Sequence, residues 1–249
     1  MRYFEAKDTN FSFVTRPEHP AIVAGDQANI AAHWAKILEK KPNSFNGSII
    51  CCNGIIAESP TAVTLGINRS DYATYQYARD HQHKINGAYG AGDATIIYLK
   101  PSDSYVFVKR SHINVSFDEG KYSIGSGGVL SSSESPVSDA DFLTYVSQHA
   151  DQETAEELKV GGLGPSILLG LYLDVSDVMV NKLEFLFAAP AAWCLLKQVA
   201  NNENTELIKV KRGAVTRFLA DNRTLLETST LNHLNHWAPK LDQGIFPQN

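Results

Sequence analysis

Apolar positions along the chain recur with two periods, and the changes of period mark the elements. Ile30, Trp34, Ile37 and Leu38 recur at helical spacing, which predicts a helix over residues 28–40 and places Trp34 in the core. Ahead of it, Phe11-Ser12-Phe13-Val14 alternates as a short strand does, and Pro17 and Pro20 break that strand. Strand-like runs follow over 48–52 and 54–57, separated by the tight-turn pair Asn53-Gly54, and then over 61–67. Residues 71–79 read as a short aromatic-rich helix with Ser70 as its N-cap. Strands over 93–99 and 105–109 flank a turn at 100–104, where Pro101 and Asp103 supply the turn chemistry. Residues 122–125 lead into the glycine pair Gly127-Gly128, and serine-rich 129–137, which holds Pro136, reads as loop.

The longest helix is predicted over 139–159. Ser138 and Asp141 have the spacing of a capping signal, a small side chain with a carboxylate three residues on. Leu143, Val146, Ala150, Thr154 and Leu158 form its packing stripe, and Gly161-Gly162-Leu163-Gly164-Pro165 ends it. That glycine run follows a helix and precedes a strand, the reverse of a P-loop, so it reads as a terminator. Strands over 167–174 and 182–188, a helix over 191–200, a strand over 207–210, a short helix over 213–219 and a closing helix over 225–237 complete the chain. Helices interleaved with strands make an α/β protein.

Composition narrows the function classes. With 249 residues, 43% of them hydrophobic, the chain can bury one large or two modest cores. A net charge of −5 leaves no electrostatic footprint for nucleic acid, so a polyanionic substrate needs a local cationic site or bound metal. Cys51 and Cys52 are adjacent and cannot easily bond each other. With Cys194 they make an odd count, which argues for a reducing, cytoplasmic compartment. The polar N-terminal stretch lacks a signal-peptide core, and no run approaches the ~20 apolar residues that span a bilayer, so no membrane partner is expected. Nothing in the sequence sets the oligomeric state.

The candidate chemistry lies in Gln152-Glu153-Thr154-Ala155-Glu156-Glu157. Its carboxylates fall at i, i+3 and i+4, one face of a helix with ~3.6 residues per turn. Like charges so close repel unless a cation sits between them. An oxygen-only set suits hard divalent cations, above all Mg²⁺, which keeps positions open for water and substrate phosphates. A solvated acidic stripe is the plainer reading of the same residues.

Gly128, Glu134 after five intervening residues, Glu153, Glu156, Glu157 and the apolar Val160 together resemble the Nudix box. In that motif a glycine and a glutamate precede a helix carrying Arg-Glu-U-x-Glu-Glu-x-Gly-U, where U is bulky and apolar. Tyr105 to Ser111 is similar to the strand that precedes the box in that family. Gln152 stands at the family's arginine, Lys159 at its late glycine and Ser126 at the proline of its Pro-Gly-Gly, and the segment between Glu134 and Gln152 is longer than in the family. The extra length reads as added turns at the helix N-terminus. The segments Ser44-Phe45-Asn46-Gly47-Ser48, Thr64-Leu65-Gly66, Tyr89 to Ala94, Leu168-Leu169-Gly170 and Leu183-Glu184-Phe185 resemble the subfamily that cleaves UDP-glucose and UDP-galactose.

The resemblance implies a Nudix-like α/β/α sandwich around a mixed sheet, with residues 1–45 as an N-terminal extension packed on a hydrolase domain at 46–249. It implies Mg²⁺-dependent hydrolysis, with Mn²⁺ as a substitute, of the pyrophosphate bond of a nucleoside diphosphate sugar. In the subfamily the products are UMP and a sugar 1-phosphate. Glu153 and Glu157 become the main metal ligands and Glu156 a third ligand or a general base. Arg110, Gly127 and Gly128 become substrate-binding residues, with Arg110 favoured over Lys109 because a guanidinium fork matches phosphate oxygens. ADP-ribose or another nucleoside diphosphate derivative is the alternative substrate, and a non-catalytic nucleotide-binding sensor the alternative role.

Other candidates read as structural. His81 and His83 have no further ligand near in sequence, and His233 and His236, at i, i+3, lack two more for a zinc site. Ser131-Ser132-Ser133 has no nucleophile-elbow context. Glu184, between Leu183 and Phe185 on a strand, faces either solvent or a cleft.

Overall fold

The computed structural model describes residues 2–15, 20–42, 44–81, 89–112, 118–132, 141–174, 182–197 and 203–246, with backbone alone at 20–25, 89 and 174. In chain order the elements are β1 (Arg2–Glu5), β2 (Asn10–Thr15), α1 (Pro20–Lys40), β3 (Ser48–Ser59), β4 (Ala62–Asp71), α2 (Tyr72–Asp80), β5 (Tyr89–Leu99), β6 (Ser104–Arg110), β7 (Tyr122–Ile124), α3 (Phe142–Glu157), β8 (Leu158–Gly161), β9 (Ile167–Asp174), β10 (Lys182–Ala191), β11 (Trp193–Leu196), β12 (Asn204–Lys211), α4 (Val215–Asn222) and α5 (Thr228–Gln243). The fold is mixed α/β, with a large mixed sheet and helices. Among the described residues no helix is long and apolar enough to cross a membrane. The chain divides into two compact units. One holds Met1–Asp93, Val129–Val146 and Gly170–Phe185, the other Ala94–Gly128, Ser147–Leu169 and Leu186–Asn249.

In the first unit β1 pairs antiparallel with β9, β2 pairs parallel with β4, and β3 pairs antiparallel with both β4 and β5. Adjacent Cys51 and Cys52 are both fully buried, so β3 is covered on both faces at that point. The sequence predicts a hairpin at Asn53-Gly54, but β3 runs on through it. Gly54, at φ 102°, instead occupies one of the two register shifts against β4, between Cys52/Gly54 and Ile55/Ala57. An Asn-Gly pair supplies the left-handed backbone that a turn and a bulge both use, and pairing with β4 selects the bulge. The cap of α2 is Asp71, one residue later than Ser70. Its carboxylate accepts from the Thr74 N–H at 2.9 Å and from Thr74 Oγ1 at 2.9 Å. Phe13, Phe142 and Phe185 pack together with ring centroids 4.5 to 6.0 Å apart. Glu184 is buried and ion-paired to Lys182.

In the second unit β6 is the hub, pairing antiparallel with β5, β7 and β12. Ile97, Leu99, Val106, Val108, Leu158, Ala189, Ala191 and Cys194 form one core cluster, with Leu207 packed on it. Helices α4 and α5 bury Val215, Leu219, Leu234, Trp237 and Leu241. Tyr105 donates from its hydroxyl to the Leu241 carbonyl at 3.0 Å.

Two expectations differ here. The long helix ends at Glu157, and the next four residues form β8, which pairs antiparallel with β11. β11 occupies part of the span 191–200, where the sequence predicts a helix, and 198–200 lie outside the described residues. Pairing with β8 overrides local helix preference at Trp193–Leu196. Residues 162–166 then join β8 to β9, strand to strand, with no helix N-terminus at which a phosphate could be cradled.

Candidate metal and phosphate site

The segment Ser126-Gly127-Gly128 is pinned from two sides. Against β5, the Thr95 N–H donates to the Ser126 carbonyl at 2.8 Å and the Ser126 N–H returns to the Thr95 carbonyl at 3.3 Å. Against α3, the buried hydroxyls of Ser126 and Thr154 share a hydrogen bond of 2.6 Å, and Thr154 also donates to the Ala150 carbonyl at 2.9 Å. The last two turns of α3 are thereby fixed beside the glycines. Gly128 meets the carboxylate of Glu153 directly: a Cβ built there would lie 2.6 Å from Glu153 Cδ. Glycine is the residue that lets this carboxylate lie against the backbone.

Glu157 follows Glu153 by one turn and is half-buried. Burial pushes its carboxyl up from the ordinary 4.5 to about 8, and the charges of Glu203 and Glu153 push the same way. A hydrogen bond from Asn204 Nδ2 to Glu157 Oε2, at 2.6 Å, and the positive charge of Arg110 oppose them. Arg110 Nη2 lies 3.9 Å from Glu203 Oε2. His149, buried one turn before Glu153, has its Nε2 3.8 Å from Glu153 Oε1. The carboxylates also sit at the C-terminal end of α3, where the helix dipole disfavours negative charge. Lys197 answers part of that field, with its N–H on the Glu157 carbonyl at 3.2 Å and its Nζ on the Ala155 carbonyl at 3.3 Å.

Of the sequence-predicted site residues, the second unit brings Gly127, Gly128, Glu153, Glu157 and Arg110 to one place. Glu156 is exposed, and its Oε1 accepts from Gln152 Nε2 at 2.7 Å. Glu134 and Ser133 lie outside the described residues, as do His83 and the predicted cap at Ser138. The buried stripe of α3 is headed by Phe142, not Leu143, and continues through Val146, Ala150 and Thr154. His233 is fully buried, and His236 Nε2 is 3.3 Å from Lys240 Nζ.

Sequence reading missed three participants. His149 is at i−4 from Glu153, and helical spacing alone could have found it. Asn204 and Glu203 are more than forty residues from Glu157 in sequence and give no local signal.

The candidate donors are carboxylate oxygens, the ligand type that a hard divalent cation takes. Among the described residues no three His, Cys, Asp or Glu side chains are gathered closely enough to hold a metal ion. Glu153 and Glu157 are two carboxylates one helical turn apart, and Mg²⁺ takes one or two protein carboxylates when substrate phosphates and water complete its shell.

No protein-family model matches this chain, and no curated protein matches it. Among solved structures it is similar to a bifunctional NMN adenylyltransferase/ADP ribose pyrophosphatase of Francisella tularensis complexed with AMP and a Mn ion, at 11% identity over 61% of this chain and 42% of that one, TM-score 0.42. The chain therefore spans less than half the length of that enzyme. It is similar to a NUDIX hydrolase of Nitrosomonas europaea, at 15% identity over 62% of this chain and 73% of that one, TM-score 0.40. It is also similar to the NUDIX domain of Shewanella oneidensis NrtR complexed with ADP ribose, at 13% identity over 62% of this chain and 89% of that one, TM-score 0.39. At this level of similarity no activity transfers from any of them.

Proposed function

We propose that this chain is a Nudix-type hydrolase that cleaves the pyrophosphate of a nucleoside diphosphate sugar in the presence of Mg²⁺, with UDP-glucose or UDP-galactose as substrate and UMP and sugar 1-phosphate as products. The observation that carries the reading is the contact of Gly128 with Glu153, one helical turn from the half-buried Glu157. Residues far apart in a degenerate motif meet, and they meet where negative charge is least tolerated.

In this reading Glu153 and Glu157 are the metal ligands. A bound Mg²⁺ supplies charge neutralisation for the pyrophosphate and acidifies the attacking water. Without a cation, burial holds the Glu157 carboxyl neutral up to about pH 8, and a bound cation would favour its ionised, ligating form. Arg110, beside Glu157 and Glu203, is the candidate for a bidentate hold on a phosphate. Gly128 lets the Glu153 carboxylate lie against the backbone, and Gly127 beside it is the candidate for close backbone approach of the substrate. Glu156, whose Oε1 accepts from Gln152, has its second oxygen for the role of third ligand or general base.

The Gln152–Glu156 hydrogen bond also favours a second reading, a nucleotide-binding module without turnover. Incubation with UDP-glucose and Mg²⁺ separates them. Release of UMP, lost on chelation and in Glu157→Gln, supports the hydrolase. Nucleotide binding with equal inertness of wild type and Glu157→Gln supports the module.

A further inference from the structure

We propose that Asn204 is a positioning residue that orients the Glu157 carboxylate for a divalent cation, by holding Oε2 and leaving Oε1 as the ligating atom. The inference rests on the hydrolase reading of this site and adds to it a residue that lies outside the motif.

The geometry begins with a bulge. In the pairing of β12 with β6, Asn204 stands opposite Arg110 and Glu206 opposite Lys109, so Thr205 is an extra residue. Its hydroxyl donates to the Lys109 carbonyl at 3.2 Å. Side chains alternate along a regular strand, so Asn204 and Leu207, three apart, would point to opposite faces. The extra residue shifts the alternation. Leu207 packs on the cluster containing Leu158, and Asn204 bonds Glu157, the residue before Leu158. Asn204 is thus aimed at the end of α3 by the bulge, and it is 6% exposed.

The chemistry of the amide then matters. The final torsion of a glutamate is broad, so an untethered carboxylate samples many orientations. A lysine or arginine at 204 would fix the carboxylate but would neutralise the charge that attracts a cation. An amide N–H fixes it and leaves the charge in place. Such partners of ligating carboxylates change metal affinity by about 10–100-fold when removed.

The test is Mn²⁺ titration of the full chain by calorimetry, for wild type, Asn204→Leu, Glu157→Gln and the double variant. Asn204→Leu is expected to weaken Mn²⁺ binding about 10–100-fold. In the Glu157→Gln background the same substitution is expected to change nothing further, because the carboxylate it orients is gone. Unchanged affinity in Asn204→Leu, or an equal loss in both backgrounds, overturns the positioning role and leaves the hydrolase reading standing. Absence of Mn²⁺ binding by wild type overturns both. If circular dichroism finds Asn204→Leu unfolded, Asn204→Ala, which only shortens the side chain, takes its place in the same cycle with the same outcomes.

Discussion

Glu157 is the residue where the cost of the site is concentrated. Its carboxyl is raised from 4.5 to about 8, first by burial and then by Glu203 and Glu153. The folded chain therefore holds a proton there that the unfolded chain releases near pH 4.5. Stability from this group is fully present below about pH 4.5 and is lost as pH rises through about 8. Thermal melts of wild type and Glu157→Gln should diverge in that window, the variant gaining relative to wild type as pH rises from 5 to 8. Parallel melting curves would contradict the shifted carboxyl. At Gly128 the account predicts that Gly128→Ala displaces Glu153, with little change in melting temperature because the carboxylate end can turn. Misplacing a ligand on the order of 1 Å costs up to about 100-fold in rate, so turnover should fall while folding holds. At this scale the motif was legible. Helical spacing singles out Glu153 and Glu157 and the Nudix resemblance singles out Gly128, and the structure puts Gly128 against Glu153. Asn204 and Glu203 have no such signal, because a strand bulge brings Asn204 in and leaves no periodic trace.

At the scale of elements, one contact holds the site's scaffold in the second unit and another caps α2 in the first. Thr154→Val removes the hydroxyl bonded to Ser126 and leaves Ser126 buried without that partner. A loss of about 1–3 kcal/mol is expected from denaturant titration. Asp71→Ala removes the cap of α2 and is expected to cost about 1 kcal/mol. Periodicity located most strands to within a few residues, since alternation and buried apolar runs are local signals. It failed where pairing decided. Asn53-Gly54 is a bulge because β3 has a partner on both sides of it. Trp193–Leu196 is a strand because β8 lies beside it. The capping carboxylate of α2 was visible in the sequence as Asp71, one residue from the serine that the pattern favoured.

At the scale of the molecule, the α/β class followed from interleaved periods, and the two compact units did not. Their boundaries cut through β5, β9, β10 and α3, so neither composition nor linker signals mark them. The proposed metal ligands, the glycines and Arg110 all belong to the second unit. The claim that organises these observations is that paired carboxylates at the end of α3 capture a divalent cation and expose a phosphoanhydride to water. Product analysis over a panel of nucleoside diphosphate sugars, with Mg²⁺ and with chelator, tests it most directly. The account predicts UMP and sugar 1-phosphate from UDP-glucose or UDP-galactose, abolished by chelation and by Glu157→Gln. Cleavage that persists unchanged in chelator or in Glu157→Gln, or no cleavage of any member of the panel at any Mg²⁺ concentration, would contradict it.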